Sequence, residues 1–266
     1  MFKIKKYIPD IVVAIILIAG IGLLAYPTIG DYINALHSSK AIGSYVEKTK
    51  DLSKEEKENL LREAREYNES LVGKVNRYYL NEEEKKRYAH ILDITKTGIM
   101  AYVEIPKLNI YMPVYHGTDE GVLQIAAGHL PGSSLPVGGE NTHSLISGHR
   151  GLPSAKLFTD IDKLKKGDLF FIHVFDEVLA YKVNQIKIVL PDDVETLEIE
   201  KGKDYVTLIT CTPYGVNSHR LLVRGTRTEY VEEEKSNDTI PQKLAQTDPK
   251  KVLAAGSAVL VILILL

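Results

Sequence analysis

The sequence holds one cysteine among its 266 residues. A lone thiol cannot close an internal disulfide or supply a multi-thiolate metal site. It is either an inert core filler or a reactive nucleophile. Cys211 closes a predicted strand over 205–212, and Thr212-Pro213-Tyr214-Gly215 follows it as a turn. Nine residues further on, Arg220 opens the next predicted strand, over 220–226. If these strands are antiparallel neighbours, Cys211 and Arg220 meet at one rim of a sheet. A guanidinium beside a thiol favours the thiolate. It also steadies a carbonyl oxygen that gains negative charge, as acyl transfer requires. The plainer readings are a surface charge for Arg220 and a small buried hydrophobe for Cys211.

Acyl transfer also needs a proton carrier. Among eight histidines, His149 is the best placed. It follows the predicted strand 143–147 through Gly148 and precedes the loop Arg150-Gly151-Leu152-Pro153. His37 and His90 lie in a polar helical region, and His116 and His129 in glycine-containing loops. His173 falls mid-strand, His143 starts the strand that His149 follows, and His219 alternates to the face opposite Arg220. A metal site on His143 and His149 would have only scattered carboxylates to complete it, without HExxH-like spacing.

The elements that must position these residues are mainly β. Strands are predicted over 99–105, 110–115, 143–147, 169–174, 178–189, 205–212 and 220–226, each β-branched or aromatic and bounded by Gly, Pro, Asn or Asp. Seven or eight strands in about 130 residues predict a closed β-barrel with short helical insertions, placed at 154–162 and 194–199. Ahead of the barrel, residues 31–95 are rich in Glu, Lys and Arg, with Leu60, Ala64, Tyr67 and Leu71 at helical spacing. Ser53 with Glu56 and Asn81 with Glu84 read as capping boxes of two helices, with a loop or a weak helix over 72–80 between them.

Two apolar stretches frame the chain. Residues 11–26 carry no charge and, with their flanks, approach the roughly 20 residues a membrane span needs. Lys3, Lys5 and Lys6 precede them, which predicts a cytoplasmic N-terminus and an extracellular remainder. Residues 252–266 form a second apolar stretch, short for a full span, after an acidic and polar linker over 231–251. The net charge of −2 gives no sign of a nucleic-acid partner.

With these residues in place a family becomes recognisable. TLITCTPYGVNSHRLLVRGTR (207–227) resembles the cysteine-to-arginine signature of sortases, most of all the class C, pilus-building branch. THSLISGHRGLPSAKLFTDIDKLKKGD (142–168) resembles the family's histidine segment, and GIMAYVEIPKLNIYMPVYHGT (98–118) its first two strands. The resemblance implies an eight-stranded barrel with a substrate groove on one face. It implies a triad of His149, Cys211 and Arg220, with Thr210 lining the groove, and no cofactor. It implies transpeptidation of an LPxTG-like sorting signal on a pilin or surface protein. The acceptor would be an amine of a second pilin or of a wall precursor. The expected organisation is an anchor over 1–29, a helical pre-domain over 30–97, the barrel over 98–230, the linker and the second apolar segment. Class C sortases carry an Asp-Pro-aromatic lid before the barrel. No Asp-Pro pair occurs between Asn68 and Gly98, so an open active site is expected, unless Tyr78 or Tyr79 fills the groove by another route.

Overall fold

The computed structural model describes residues 7–230. The linker and second apolar segment expected over 231–266 lie outside the described residues. Four helices are described: α1 Ile8–Asp51, α2 Lys54–Leu71, α3 Glu82–His90 and the short α4 Glu120–Leu123. Eight strands follow α3 or flank α4: β1 Ile99–Ile105, β2 Ile110–His116, β3 Ala127–His129, β4 Thr142–Ser147, β5 Leu169–Val174, β6 Glu177–Val189, β7 Asp204–Thr212 and β8 His219–Arg227. They close into a barrel in the order β1-β2-β3-β4-β7-β8-β6-β5. Pairing is parallel for β2 with β3 and for β4 with β7, and antiparallel elsewhere. Closure leaves no open edge for another chain to pair with. Alternation turns Val103, Ile146, Ile172, Leu208 and Val223 into the interior, where all are fully buried.

The C-terminal ends of β4, β6 and β7 and the N-terminal end of β8 share one end of the barrel, here the upper rim. The turn between β5 and β6 and the start of β7 mark the lower end.

The helices ahead of the barrel pack on it through Ala64, Tyr67 and Leu71 of the predicted face, with Leu60 only partly buried and Leu61 buried in its place. α2 buries Leu61, Ala64, Tyr67, Asn68 and Leu71. Both capping boxes form, at Ser53 with Glu56 and at Asn81 with Glu84. Asn68 clasps the β3–β4 connection by donating to Leu135 O at 3.1 Å and accepting from Leu135 N at 2.6 Å. The Tyr45 hydroxyl of α1 donates to Met100 O at 3.1 Å and accepts from Phe175 N at 2.9 Å. Each such buried bond contributes about 1 kcal/mol net, and its loss would strand its partner.

Several elements differ from the sequence expectation. β3 replaces a predicted loop, because three residues sandwiched between β2 and β4 need no periodicity of their own. The helix expected over 154–162 reduces to a 3-10 turn at Ile161–Lys163, since Leu157 adopts a φ of 39° that no right-handed helix accommodates. That expected over 194–199 reduces to Glu195–Leu197, ending in extended backbone at Glu198. α1 runs unbroken through the boundary drawn at residue 29, with Pro27 inside it. The segments expected as anchor and pre-domain thus lie on one helix, and a kink near Pro27 is its expected irregularity.

Candidate active site

β7 and β8 place Cys211 directly opposite Arg220 in the antiparallel register. β4 reaches the same level from the other side of β7. Ser147 pairs with Ile209, and Gly148 N donates to Ile209 O at 3.0 Å. His149 follows that bond by one residue, in the loop that leaves β4 at the level of Cys211. Cys211 near the end of β7, Arg220 near the start of β8 and His149 two residues past the end of β4 therefore share the upper rim, and all three are half-buried.

Each is held by its own backbone surroundings. Arg220 Nη1 donates to Asn217 O and His219 O, both at 3.3 Å, which fixes the guanidinium over the β7–β8 turn. Gly148 precedes His149 where the Phe158 ring crosses the chain. A Cβ there would lie 2.6 Å from a ring carbon, so only glycine fits. Phe158 N in turn donates to His149 O at 3.1 Å. Gly151 has a φ of 79° and lies against the Tyr214 ring, which packs the histidine loop on the cysteine loop.

Thr210 corrects the reading that it lines the groove. It alternates to the face opposite Cys211, is buried at 2% exposure, and pairs with core residue Leu221. Its hydroxyl donates to Gly148 O at 2.7 Å. Its contribution is to tie β7 to the chain just before His149.

On the outward face, Leu145, Ile209 and Leu222 with Leu197 form a small apolar floor leading to Cys211. His143 closes the far end, with Nδ1 2.9 Å from Glu198 O and Nε2 2.7 Å from Thr207 Oγ1. Burial lowers its pKa to about 4, with the cations of Arg224 and Arg77 adding to the effect.

The floor is not open. Tyr78, from the loop between α2 and α3, packs on it. Burial raises the Tyr78 pKa. Arg77 is buried and latches the loop, donating to Leu197 O and the Tyr78 hydroxyl, both at 2.7 Å, and pairing with Glu198 at 3.2 Å. Tyr79, the other candidate, is 84% exposed. The expectation of an uncovered groove is thus corrected: an arginine-tyrosine pair covers its floor without an Asp-Pro motif.

Sequence reasoning missed two further neighbours. Glu120 of α4 lies with Oε2 3.7 Å from His149 Nε2, and its Oε1 accepts from Gln124. Arg150 donates to Thr212 Oγ1 at 3.3 Å and to Asp162 at 2.5 Å. Arg150 adjoins His149 and was open to suspicion on that ground. Glu120 carried no local signal, since only the β2–β3–β4 pairing brings it near.

The fold and its rim have counterparts. A family model described as the sortase domain matches residues 103–228, from β1 to the end of β8. Sortase A of Bacillus anthracis is 31% identical over 132 residues, 50% of this chain and 61% of the relative. Sortase A of Staphylococcus aureus (strain NCTC 8325 / PS 47) is 34% identical over 123 residues, 45% of this chain and 58% of the relative. The match thus spans about three fifths of these relatives' length. Among solved structures, sortase C1 from Streptococcus agalactiae aligns with a TM-score of 0.70 and 49% identity, over 72% of this chain and 100% of that one. Streptococcus pneumoniae sortase C aligns with a TM-score of 0.65 and 48% identity, over 72% and 97%. Identity near one half across an entire solved relative, on the same closed barrel, leaves no other fold family to consider: the chain belongs to the sortase family, with class C sortases as its structural neighbours.

Proposed function

We propose that the protein is a membrane-anchored cysteine transpeptidase that cleaves an LPxTG-like sorting signal and joins the acyl part to an amine. The observation that carries this is the opposition of Cys211 and Arg220 across β7 and β8, with His149 two residues beyond the end of β4 on the other side of β7. The Cys211 thiolate attacks the carbonyl carbon of the scissile peptide bond. Arg220 holds the oxyanion as it forms. The carbon–nitrogen bond breaks, and His149 gives its proton to the leaving amine. A second amine then attacks the thioester, His149 accepts its proton, and the thiolate is regenerated.

In this reading α1 anchors the chain, with its N-terminus cytoplasmic and residues 30–230 outside the cell. The most hydropathic window of that helix averages 2.4 and is unburied. Residues 30–97 serve as the pre-domain and 98–230 as the catalytic barrel. The acceptor is a lysine of the next pilin. Support comes from the class C neighbours, of which the Streptococcus pneumoniae enzyme has a described pilin substrate specificity. A wall precursor amine is the alternative acceptor.

The test is to incubate the full chain in detergent with a pilin subunit alone. Covalent pilin ladders from the wild type, and none from Cys211→Ala, are expected. Product formed only when a peptidoglycan amine is added would assign the wall-anchoring role instead.

A further inference from the structure

α1 crosses the whole height of the barrel. Near the lower end, Tyr45 reaches Met100 and Phe175. Fourteen residues earlier, about 21 Å along the helix axis, the Asp31 carboxylate accepts from Lys156 N at 2.8 Å. One residue before that, Gly30 lies so close to Ser154 that a Cβ would sit 2.9 Å from its carbonyl oxygen. Ser154 and Lys156 belong to the loop that follows His149, at the upper rim. The apolar part of α1 therefore leaves the barrel at the rim that carries Cys211. Residues 10–29, at 1.5 Å each, measure about 30 Å, the thickness of a bilayer's hydrocarbon core. No spacer separates the end of that span from the rim.

The same rim exposes apolar side chains. Ile188 and Leu190, where β6 runs into its loop, are 63% and 62% exposed. Tyr214 and Val216, in the β7–β8 turn, are 61% and 70% exposed. They flank the Cys211–Arg220 pair on two connections. The connection over 150–168 carries five Lys or Arg against three Asp, net +2, in a chain whose total is −2. Lys165 and Lys166 within it are exposed. Basic side chains beside a surface of anionic lipid are attracted to it.

We infer that the upper rim of the barrel rests on the bilayer, with Tyr214, Val216 and Leu190 entering the headgroup region of anionic lipid. The inference rests on the reading of α1 as a membrane span. It places the nucleophile at the bilayer surface, so a substrate must present its scissile bond there rather than at a distance in solution.

The chain contains no tryptophan, so a single introduced tryptophan reports one position. The full chain is reconstituted into phosphatidylglycerol–phosphatidylcholine vesicles, with or without bromine on the acyl chains. Tyr214→Trp, which keeps an aromatic ring against Gly151, and Val216→Trp, at a 70% exposed site, test the rim. Lys201→Trp, in the loop before β7, tests the opposite end, and Leu17→Trp tests the span. The expected result is a blue shift and loss of most fluorescence at 214 and 216 in brominated vesicles, with none at 201. Quenching at 17 alone would overturn the rim contact while leaving the span intact, and the apolar tips would then be free for a soluble partner. No quenching at 17 would overturn the span itself and the inference with it.

Discussion

In the proposed mechanism Arg220 has a geometric task that charge alone does not fulfil. Its guanidinium is held by two carbonyls of its own turn and stands across from the thiol. A fork of parallel N–H groups can hold an oxyanion and the substrate backbone together, and an ammonium cannot. Arg220→Lys is therefore expected to lose on the order of 10²–10³ in kcat/KM with folding intact. Near-wild-type turnover of the lysine variant would leave Arg220 as a mere charge. Thr210 acts through the backbone. In Thr210→Val the buried Gly148 carbonyl loses its donor, a cost of about 1–3 kcal/mol. A drop of several degrees in Tm, together with reduced turnover, is the expected outcome, and an unchanged Tm would show that the bond is dispensable. The three rim residues were legible because strand ends and the antiparallel turn follow from alternation and turn chemistry. The facing of Thr210 was legible too, one step from Cys211 on an alternating strand, but the resemblance pulled it to the wrong side.

The loop between α2 and α3 shows what element-level patterns leave out. Its sequence offered two tyrosines and no Asp-Pro, and nothing in it tells which ring turns inward. That depends on Arg77, whose partners Leu197 and Glu198 lie about 120 residues away. Tyr78 covers the apolar floor that leads to Cys211, and a sorting-signal peptide bound along that floor as proposed must displace it. The half-buried ring is worth about 1–1.5 kcal/mol, so Tyr78→Ala should lower KM for a sorting-signal peptide roughly five- to tenfold. Cys211 is itself half-exposed, so its rate with a small thiol reagent should change much less. An unchanged KM would mean that Tyr78 does not occupy the peptide's path. Elsewhere, the long strands and both capped helices were readable from local rules. β3 was not, because its three residues are strand only by virtue of their neighbours. Nor was the continuity of α1, which runs through Pro27 and past the boundary drawn at residue 29.

At the scale of the molecule, buried histidines tie the pre-domain and the groove to the barrel. His129 is fully buried between Tyr88 of α3 and Ser134 O, and burial lowers its pKa to about 3. His143, whose second ring nitrogen can accept from the Thr207 hydroxyl, sits at about 4, lowered by burial. Each stays neutral in the fold, whereas the unfolded chain takes up its proton near pH 6.5. The unfolded state therefore gains protons first as pH falls, and stability declines from about pH 6.5 downward towards pH 4. The slope is up to about 1.4 kcal/mol per pH unit for each histidine. Urea unfolding at pH 7 and pH 5 should show a clear loss at pH 5, smaller in His143→Gln. A flat profile would contradict the neutral burial of these rings.

The most direct measurement is the intact mass of the protein after brief incubation with a sorting-signal peptide and no acceptor amine. An adduct equal to the peptide's acyl part, located on Cys211, removed by hydroxylamine and absent from Cys211→Ala, is expected. Peptide cleavage that persists in Cys211→Ala, or an adduct on any other residue, would contradict Cys211 as the nucleophile.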